Sequence, residues 1–254
     1  MPAVLSAADY ADGNVRKNDN RWLNLNFFRT MHSADAFGPA YEGSYLEVEG
    51  GARSGALDFY FFYDAFDLLG MGTYKTRAGD FFTKIKPRFS LDALTGKDLA
   101  AGPVREWYLA TQYKGFNGGE YYSAGPGVDL DVPGVDLLQA ALWPKFVRFQ
   151  GSPDIEYAGV ELSVNWCATI VRKMPWAGNL SYQGWMDYGV DNTYSRKSGG
   201  DNFTLSEFQM FNGFYWNIGH YSVSASVKFN HNLAYKSQYA SSATTWFTGA
   251  HYHF

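Results

Sequence analysis

The chain has little of several things that would each decide its class. It holds one cysteine, Cys167, in 254 residues, so neither a disulfide framework nor a Cys-based zinc centre can be built. It has no basic excess: 21 Lys and Arg against 25 Asp and Glu give a net charge of −4. That balance argues against a nucleic-acid partner, whose footprint is a basic patch. It has no run fit for a membrane helix, which needs about 20 predominantly apolar residues. The longest uncharged window, 208–227, is broken by Asn212, Gly213, Asn217, Gly219, His220, Ser222, Ser224 and Ser226. No basic region followed by a long apolar core opens the chain, so no full signal peptide is present. Residues 2–8 resemble the small-residue tail of a cleavage region, with a mature start near Ala8; a disordered terminus is the alternative.

What is present is aromatic. The chain carries 20 Phe, 19 Tyr and 8 Trp, 19% of its length, with 27 Gly and a mean hydropathy below zero. A chain so hydrophobic in composition is not intrinsically disordered. Strict alternation recurs along almost its whole length, which is the strand signal. Leu57, Phe59, Phe61 and Tyr63 oppose Asp58, Tyr60, Phe62 and Asp64; Ile85, Pro87 and Phe89 oppose Lys84, Lys86 and Arg88. Val160, Leu162, Val164 and Trp166 oppose Glu161, Ser163 and Asn165, and Tyr221, Val223, Ala225, Val227 and Phe229 oppose Ser222, Ser224, Ser226, Lys228 and Asn230.

Twelve such segments are expected, at about 21–30, 41–49, 56–65, 81–90, 103–113, 121–131, 136–149, 156–170, 179–188, 203–213, 220–230 and 244–254. Several approach the ~9–11 residues that a tilted strand needs to cross a bilayer. Connections after odd-numbered segments tend to be long and polar, and those after even-numbered ones mostly tight, with 91–102 a longer link on the tight side. An even strand count with unequal rims is the pattern of an outer-membrane barrel. The fold class is therefore all-β: a transmembrane antiparallel β-barrel over residues 21–254, preceded by a periplasmic segment, 1–20. Tyr10, Trp22, Trp107, Tyr182, Tyr188, Trp246 and Tyr252, near segment ends or on outward faces, are assigned to interfacial girdles. The last strand alternates outward Ala250, Tyr252 and Phe254 with inward His251 and His253. A soluble aromatic-rich β-sandwich is the competing architecture, but sandwiches rarely carry charges so regularly on the inward face.

The residues also resemble a known family, the Tsx/OmpK group of nucleoside-specific outer-membrane channels. The resemblance is strongest over Lys86-Pro87-Arg88-Phe89-Ser90-Leu91-Asp92-Ala93-Leu94-Thr95-Gly96-Lys97-Asp98-Leu99 and Gly102-Pro103-Val104-Arg105-Glu106-Trp107-Tyr108. It continues in Tyr45-Leu46-Glu47-Val48-Glu49, Leu180-Ser181-Tyr182-Gln183-Gly184 and His220-Tyr221-Ser222-Val223, and the opening around Tyr10 is similar to the OmpK branch. Nearly the whole chain is covered in order. The resemblance implies a twelve-stranded barrel with a narrow lumen, passage of nucleosides, contact with outer-membrane lipids including lipopolysaccharide, and in some members reception of phage tail proteins or colicins. It implies no cofactor and no catalysis. Two departures matter: the long loops share little with other members, and Lys84 and Lys86 stand where Tsx-type members tend to carry carboxylates.

A nucleoside offers a flat base, a diol and no net charge, so rings and hydrogen-bonding charges suit it. The inward face supplies Phe28, Tyr60, Phe62 and Tyr108 as rings. Glu47, Glu49, Asp58, Asp64, Lys84, Arg88, Glu106, Glu161, Gln183, Glu207 and Lys228 are the polar partners. The plainer reading of these charges is that they pair across a narrow lumen and hold it together. His251 and His253 share a face, but no Asp, Glu or Cys lies near them in sequence, so lumen hydrogen bonding is favoured over metal. Cys167 reads as an inert buried thiol. Gly125-Pro126-Gly127 reads as a strand bulge rather than a dinucleotide loop. Asp136, Gln139, Pro144, Lys145 and Arg148 break a single alternation, so a bulge is expected in 136–149. An enzyme would need a nucleophile with an oriented His; no G-x-S-x-G is present. A receptor acting through loops 30–40, 189–202 and 231–243 is the remaining alternative.

Overall fold

Period-two alternation becomes strand throughout the computed structural model, which describes residues 10, 12–36, 38–73, 80–173, 178–192 and 202–254. The leader-like stretch 2–8 and most of loop 189–202 lie outside the described residues. The strands are β1 Asn20–Ser33, β2 Tyr41–Ser54, β3 Leu57–Phe66, β4 Phe81–Ser90, β5 Val104–Phe116, β6 Gly119–Leu130, β7 Leu137–Phe149, β8 Glu156–Val171, β9 Asn179–Val190, β10 Glu207–Ile218, β11 Tyr221–His231 and β12 Ala243–His253. Each pairs antiparallel with its sequence neighbours, and β1 closes on β12 from Asn24↔His253 to Met31↔Trp246. Closure leaves no unpaired strand edge, the condition for crossing lipid with strands.

Polarity is inverted relative to a water-soluble core. On β11, Tyr221 (65% exposed) and Val223 (53%) face outward, while Ser222, Ser224 and Ser226 are buried inside. Leu25, Val48, Leu109, Leu142 and Phe214 are exposed, whereas Arg53, Lys114, Lys145, Glu161 and Asp187 are buried. The outward apolar surface suits lipid, and the enclosed polar groups must satisfy one another.

The rim where β1 begins and β12 ends is called the terminal rim, its opposite the far rim. At the terminal rim β2–β3 and β10–β11 turn through two residues each, Gly55-Ala56 and Gly219-His220. The longer link there holds α1, Leu91–Thr95, whose start is capped by Ser90 Oγ accepting from the Ala93 amide at 3.1 Å. The buried Asp92 carboxylate accepts from the amides of Leu99 (3.0 Å) and Trp107 (3.1 Å), which folds the link back onto β5.

The tendency to long far-rim links has one exception among the described residues: β5 and β6 join through Asn117-Gly118 alone. Other expectations about the strands are corrected. β10 begins at Glu207, Phe203 forming only a bridge to Lys236. The bulge expected in 136–149 falls on the facing strand: Pro144 pairs Val160 but Phe146 pairs Tyr157, so the extra residue belongs to β8. Gly159 sits there with φ +100. No register shift accompanies Gly125-Pro126-Gly127; a Cβ on Gly125 would lie 2.3 Å from the Leu142 carbonyl oxygen, so glycine serves close strand approach.

The segment before β1 is fastened to the terminal rim. Asp19 accepts from Ser54 Oγ (3.1 Å) and the Gly55 amide (2.9 Å). Tyr10, expected in the girdle, is instead 1% exposed, and its hydroxyl accepts from the Arg53 guanidinium. Burial pushes the Tyr10 phenol above its ordinary value, keeping it neutral beside that cation. Trp22 is the other girdle residue that turns inward, its ring 6.0 Å from that of Tyr60.

Candidate functional site in the lumen

A cavity of about 1240 Å³ runs through the barrel, from Asn20, Arg53 and Asn217 at the terminal rim to Asp35, Asp80 and Asn117 at the far rim. Every predicted lumen residue faces inward, but in two classes. Phe28, Glu47, Glu49, Asp58, Tyr60, Asp64, Lys84, Arg88, Gln183, Glu207 and Lys228 line the cavity. Glu106, Tyr108 and Glu161 do not: they are at most 1% exposed, covered by side chains from other strands.

The charges fall into three groups. Near the terminal rim, Arg88 bridges Asp58 (2.7 Å) and Asp129 (2.6 Å) and lies 4.1 Å from the Tyr108 ring centre. Tyr108 donates to Asp129 at 3.0 Å and accepts from Arg53 at 3.2 Å, and Arg53 pairs with Glu106 at 2.5 Å. Across β4, β5, β7, β8, β9 and β10 runs a ladder: Lys84–Asp187 (3.3 Å), Lys114–Asp187 (3.0 Å), Lys114–Glu161 (3.0 Å), Lys145–Glu161 (3.2 Å) and Lys145–Glu207 (2.6 Å). Both groups are the cross-lumen pairing that the plainer reading of the sequence anticipated.

The third group, on β1–β3, has no cation in it. Glu47 accepts from Asn26 (2.7 Å); Glu49 accepts from Asn24 (3.3 Å), Asn26 (3.3 Å) and the Tyr60 hydroxyl (2.8 Å). Among the described residues no ion pair is formed by Glu47, Glu49 or Asp64. These carboxylates keep acceptor capacity for a solute in the cavity.

Rings climb the same wall. Trp22 and Tyr60 are 6.0 Å apart between centroids, Tyr60 and Phe62 6.1 Å, and Phe62 and Phe82 5.6 Å. All four line the cavity. On the other side Trp185 stacks on Phe211 (6.3 Å), and Phe211 meets Phe247 edge-on (5.5 Å). His251 engages both ring nitrogens, with Asn26 (2.9 Å) and Ser224 (2.8 Å), as does His253, with Asn24 (2.8 Å) and Ser222 (3.0 Å), so both serve lumen hydrogen bonding.

Sequence reasoning missed Trp22, Arg53, Lys114, Asp129, Lys145, Trp185 and Asp187. Parity would have placed several: Trp22 shares its side of β1 with Phe28, and Trp185 and Asp187 share theirs with Gln183. Lys145 was obscured because Trp143 and Val147 occupy the same inward face. Trp143 reaches inward to donate to Glu161 at 3.3 Å.

Closed antiparallel strands, lipid-suited outside and wet inside, define a pore-forming outer-membrane β-barrel. The sequence profile of the nucleoside-specific channel-forming protein, Tsx, matches residues 17–254, and the chain belongs to that family. Outer membrane protein OmpK of Vibrio parahaemolyticus is 34% identical over 236 residues, covering 91% of this chain and 85% of that protein. The nucleoside-specific channel-forming protein Tsx of Klebsiella aerogenes is 31% identical over 219 residues, covering 77% and 72%. Among solved structures the NanC porin superposes with a TM-score of 0.51 at 7% identity, over 91% of this chain and 98% of that one, a likeness of fold alone. The family comprises outer-membrane channels rather than enzymes.

Proposed function

We propose that this barrel is a passive outer-membrane channel that takes nucleosides through its lumen, with the termini and Tyr10 on the periplasmic side. The observation that carries the reading is the ladder Trp22–Tyr60–Phe62–Phe82 beside Glu47 and Glu49 in a cavity lined by residues from both rims. Rings about 6 Å apart let a base pass from one face to the next, and conduction favours several weak sites over one deep well. The carboxylates of Glu47 and Glu49, with no ion-pair partner among the described residues, suit a ribose diol, which donates two hydrogen bonds. Tyr108, Glu106 and Glu161 hold the wall in this reading and do not touch the solute.

Flux of adenosine, thymidine and a hexose into proteoliposomes tests it: the nucleosides are expected to enter faster, and equal rates for all three would reduce the protein to a general pore. Tyr60→Ala is expected to raise the adenosine concentration that half-blocks the ion current. Stacking worth ~1–3 kcal/mol per base corresponds to roughly 5- to 150-fold. Tyr60→Phe keeps the ring and should shift the block far less. Lipid contact falls to the outward aromatics. Reception of phage would fall to the far-rim loops, and exchanging 232–242 while flux is followed would score it separately.

A further inference from the structure

The cations of the lumen are unevenly matched. Asp187 already serves Lys84 (3.3 Å), Lys114 (3.0 Å) and the Ser163 hydroxyl (2.7 Å). Lys86, 8% exposed and lining the cavity, has among the described residues only neutral hydrogen-bond partners, Ser163 Oγ at 3.3 Å and Asn165 Oδ1 at 3.5 Å. Lys228 also lines the cavity, and its ammonium lies 5.1 Å from the centre of the Trp185 ring, with Lys84 4.9 Å from the same ring. Two ammonium groups thus flank one aromatic face, Lys86 stands two residues along β4 from Lys84, and among the described residues neither Lys86 nor Lys228 forms an ion pair. Buried ammonium groups with no direct ion-pair partner are costly, and a mobile anion in the cavity would relieve that cost.

The arc next to them is its complement. On β3, Tyr60 pairs in register with Lys86 and Phe62 with Lys84; on the other side of β3, Phe62 pairs with Glu49 and Asp64 with Glu47. Going round the wall one therefore meets carboxylates, then rings, then ammonium groups, each one strand apart. A molecule matching that order has hydroxyl donors, a flat ring and a dianionic end.

We infer that the lumen holds a phosphate subsite formed by Lys84, Lys86 and Lys228 beside Trp185, and that it takes nucleoside monophosphates as well as nucleosides. The inference rests on the nucleoside reading for the ring and diol contacts, and adds the anion site to it. The carboxylates of Glu47 and Glu49 receive the diol, the rings of Phe62 and Trp185 flank the base, and the phosphate displaces water from the three lysines.

Current block in planar bilayers by AMP, adenosine, ribose 5-phosphate and inorganic phosphate tests this at about pH 7, where a phosphate monoester carries nearly two charges. AMP is expected to block at a concentration roughly tenfold below adenosine, and Lys86→Met to lower that AMP-to-adenosine preference by roughly tenfold, the worth of one charge-assisted contact. Lys228→Gln, which breaks no ion pair or hydrogen bond among the described residues, should lower it in the same direction and guards against a misfolded first variant. AMP blocking no better than adenosine, or a preference unchanged in both variants, would overturn the subsite. Inorganic phosphate competing as well as AMP would overturn the nucleotide assignment in favour of a plain anion site. If AMP and ribose 5-phosphate block as expected while adenosine and a hexose are indistinguishable, the nucleoside reading fails and the phosphate subsite stands.

Discussion

Arg88 shows how much one side chain carries in a barrel filled with polar groups. It is 8% exposed, holds Asp58 and Asp129 at once, and stacks over the Tyr108 ring. Arg88→Met would leave two carboxylates facing each other in a low-dielectric wall. Breaking a buried pair by removing one partner costs about 3–5 kcal/mol. The expected result is a lowered urea midpoint for the vesicle-embedded barrel, partly restored when Asp129→Asn is added. An unchanged midpoint would mean that water already solvates the cluster. At this scale the sequence was half legible. Parity told which side chains point inward, because a strand turns every second residue to the same face. It could not tell which of those remain open to solute. Glu161 is covered because Lys114, Lys145, Gln112 and Trp143 converge on it from β5 and β7, a meeting of strands that no local pattern encodes.

At the scale of the element, the β7–β8 pair bends where β8 carries its extra residue. Gly159 takes φ +100, and a Cβ there would stand 2.1 Å from the Val190 carbonyl oxygen of β9. Gly159→Ala must therefore both strain the backbone and part β8 from β9. Backbone strain of this kind costs of order ~1–3 kcal/mol, so the variant is expected to unfold at lower temperature and to lose amide protection around Val190, read by hydrogen exchange. Protection equal to that of the parent would place the bulge elsewhere. Twelve segments were readable in the sequence because alternation is a property of each strand alone. The bulge was not, because an extra residue is assigned only by comparing two strands. Pro144 and Lys145 drew attention to β7, while the insertion sits opposite. The same reason hid the two-residue β5–β6 turn: Lys114-Gly115-Phe116 and Gly119-Glu120 read as loop but extend the strands into the far rim.

For the molecule as a whole, the aromatic content divides by face, and the division can be measured. Trp107 stands near the start of β5 at the terminal rim, and Trp246, 57% exposed, near the start of β12 at the far rim. Both point outward, where an amphipathic ring suits the headgroup region. Trp22 lies near a strand end, a position that suits a girdle residue. End position and face are independent, however, and its parity with Asn24, Asn26 and Phe28 turns it inward beside Tyr60. Trp185 is likewise inward, under Lys84 and Lys228. In vesicles of brominated lipid the emission of Trp107 and Trp246 should be quenched more when bromine is near the headgroup than near the acyl terminus. Trp107→Phe or Trp246→Phe should each remove part of that quenchable emission. Trp22→Phe and Trp185→Phe should leave it intact and instead reduce quenching by a small aqueous solute that enters the lumen. Loss of lipid-quenchable emission on removing Trp22 would return it to the girdle, and with it would go the lowest rung of the ring ladder on which passage of a flat base depends.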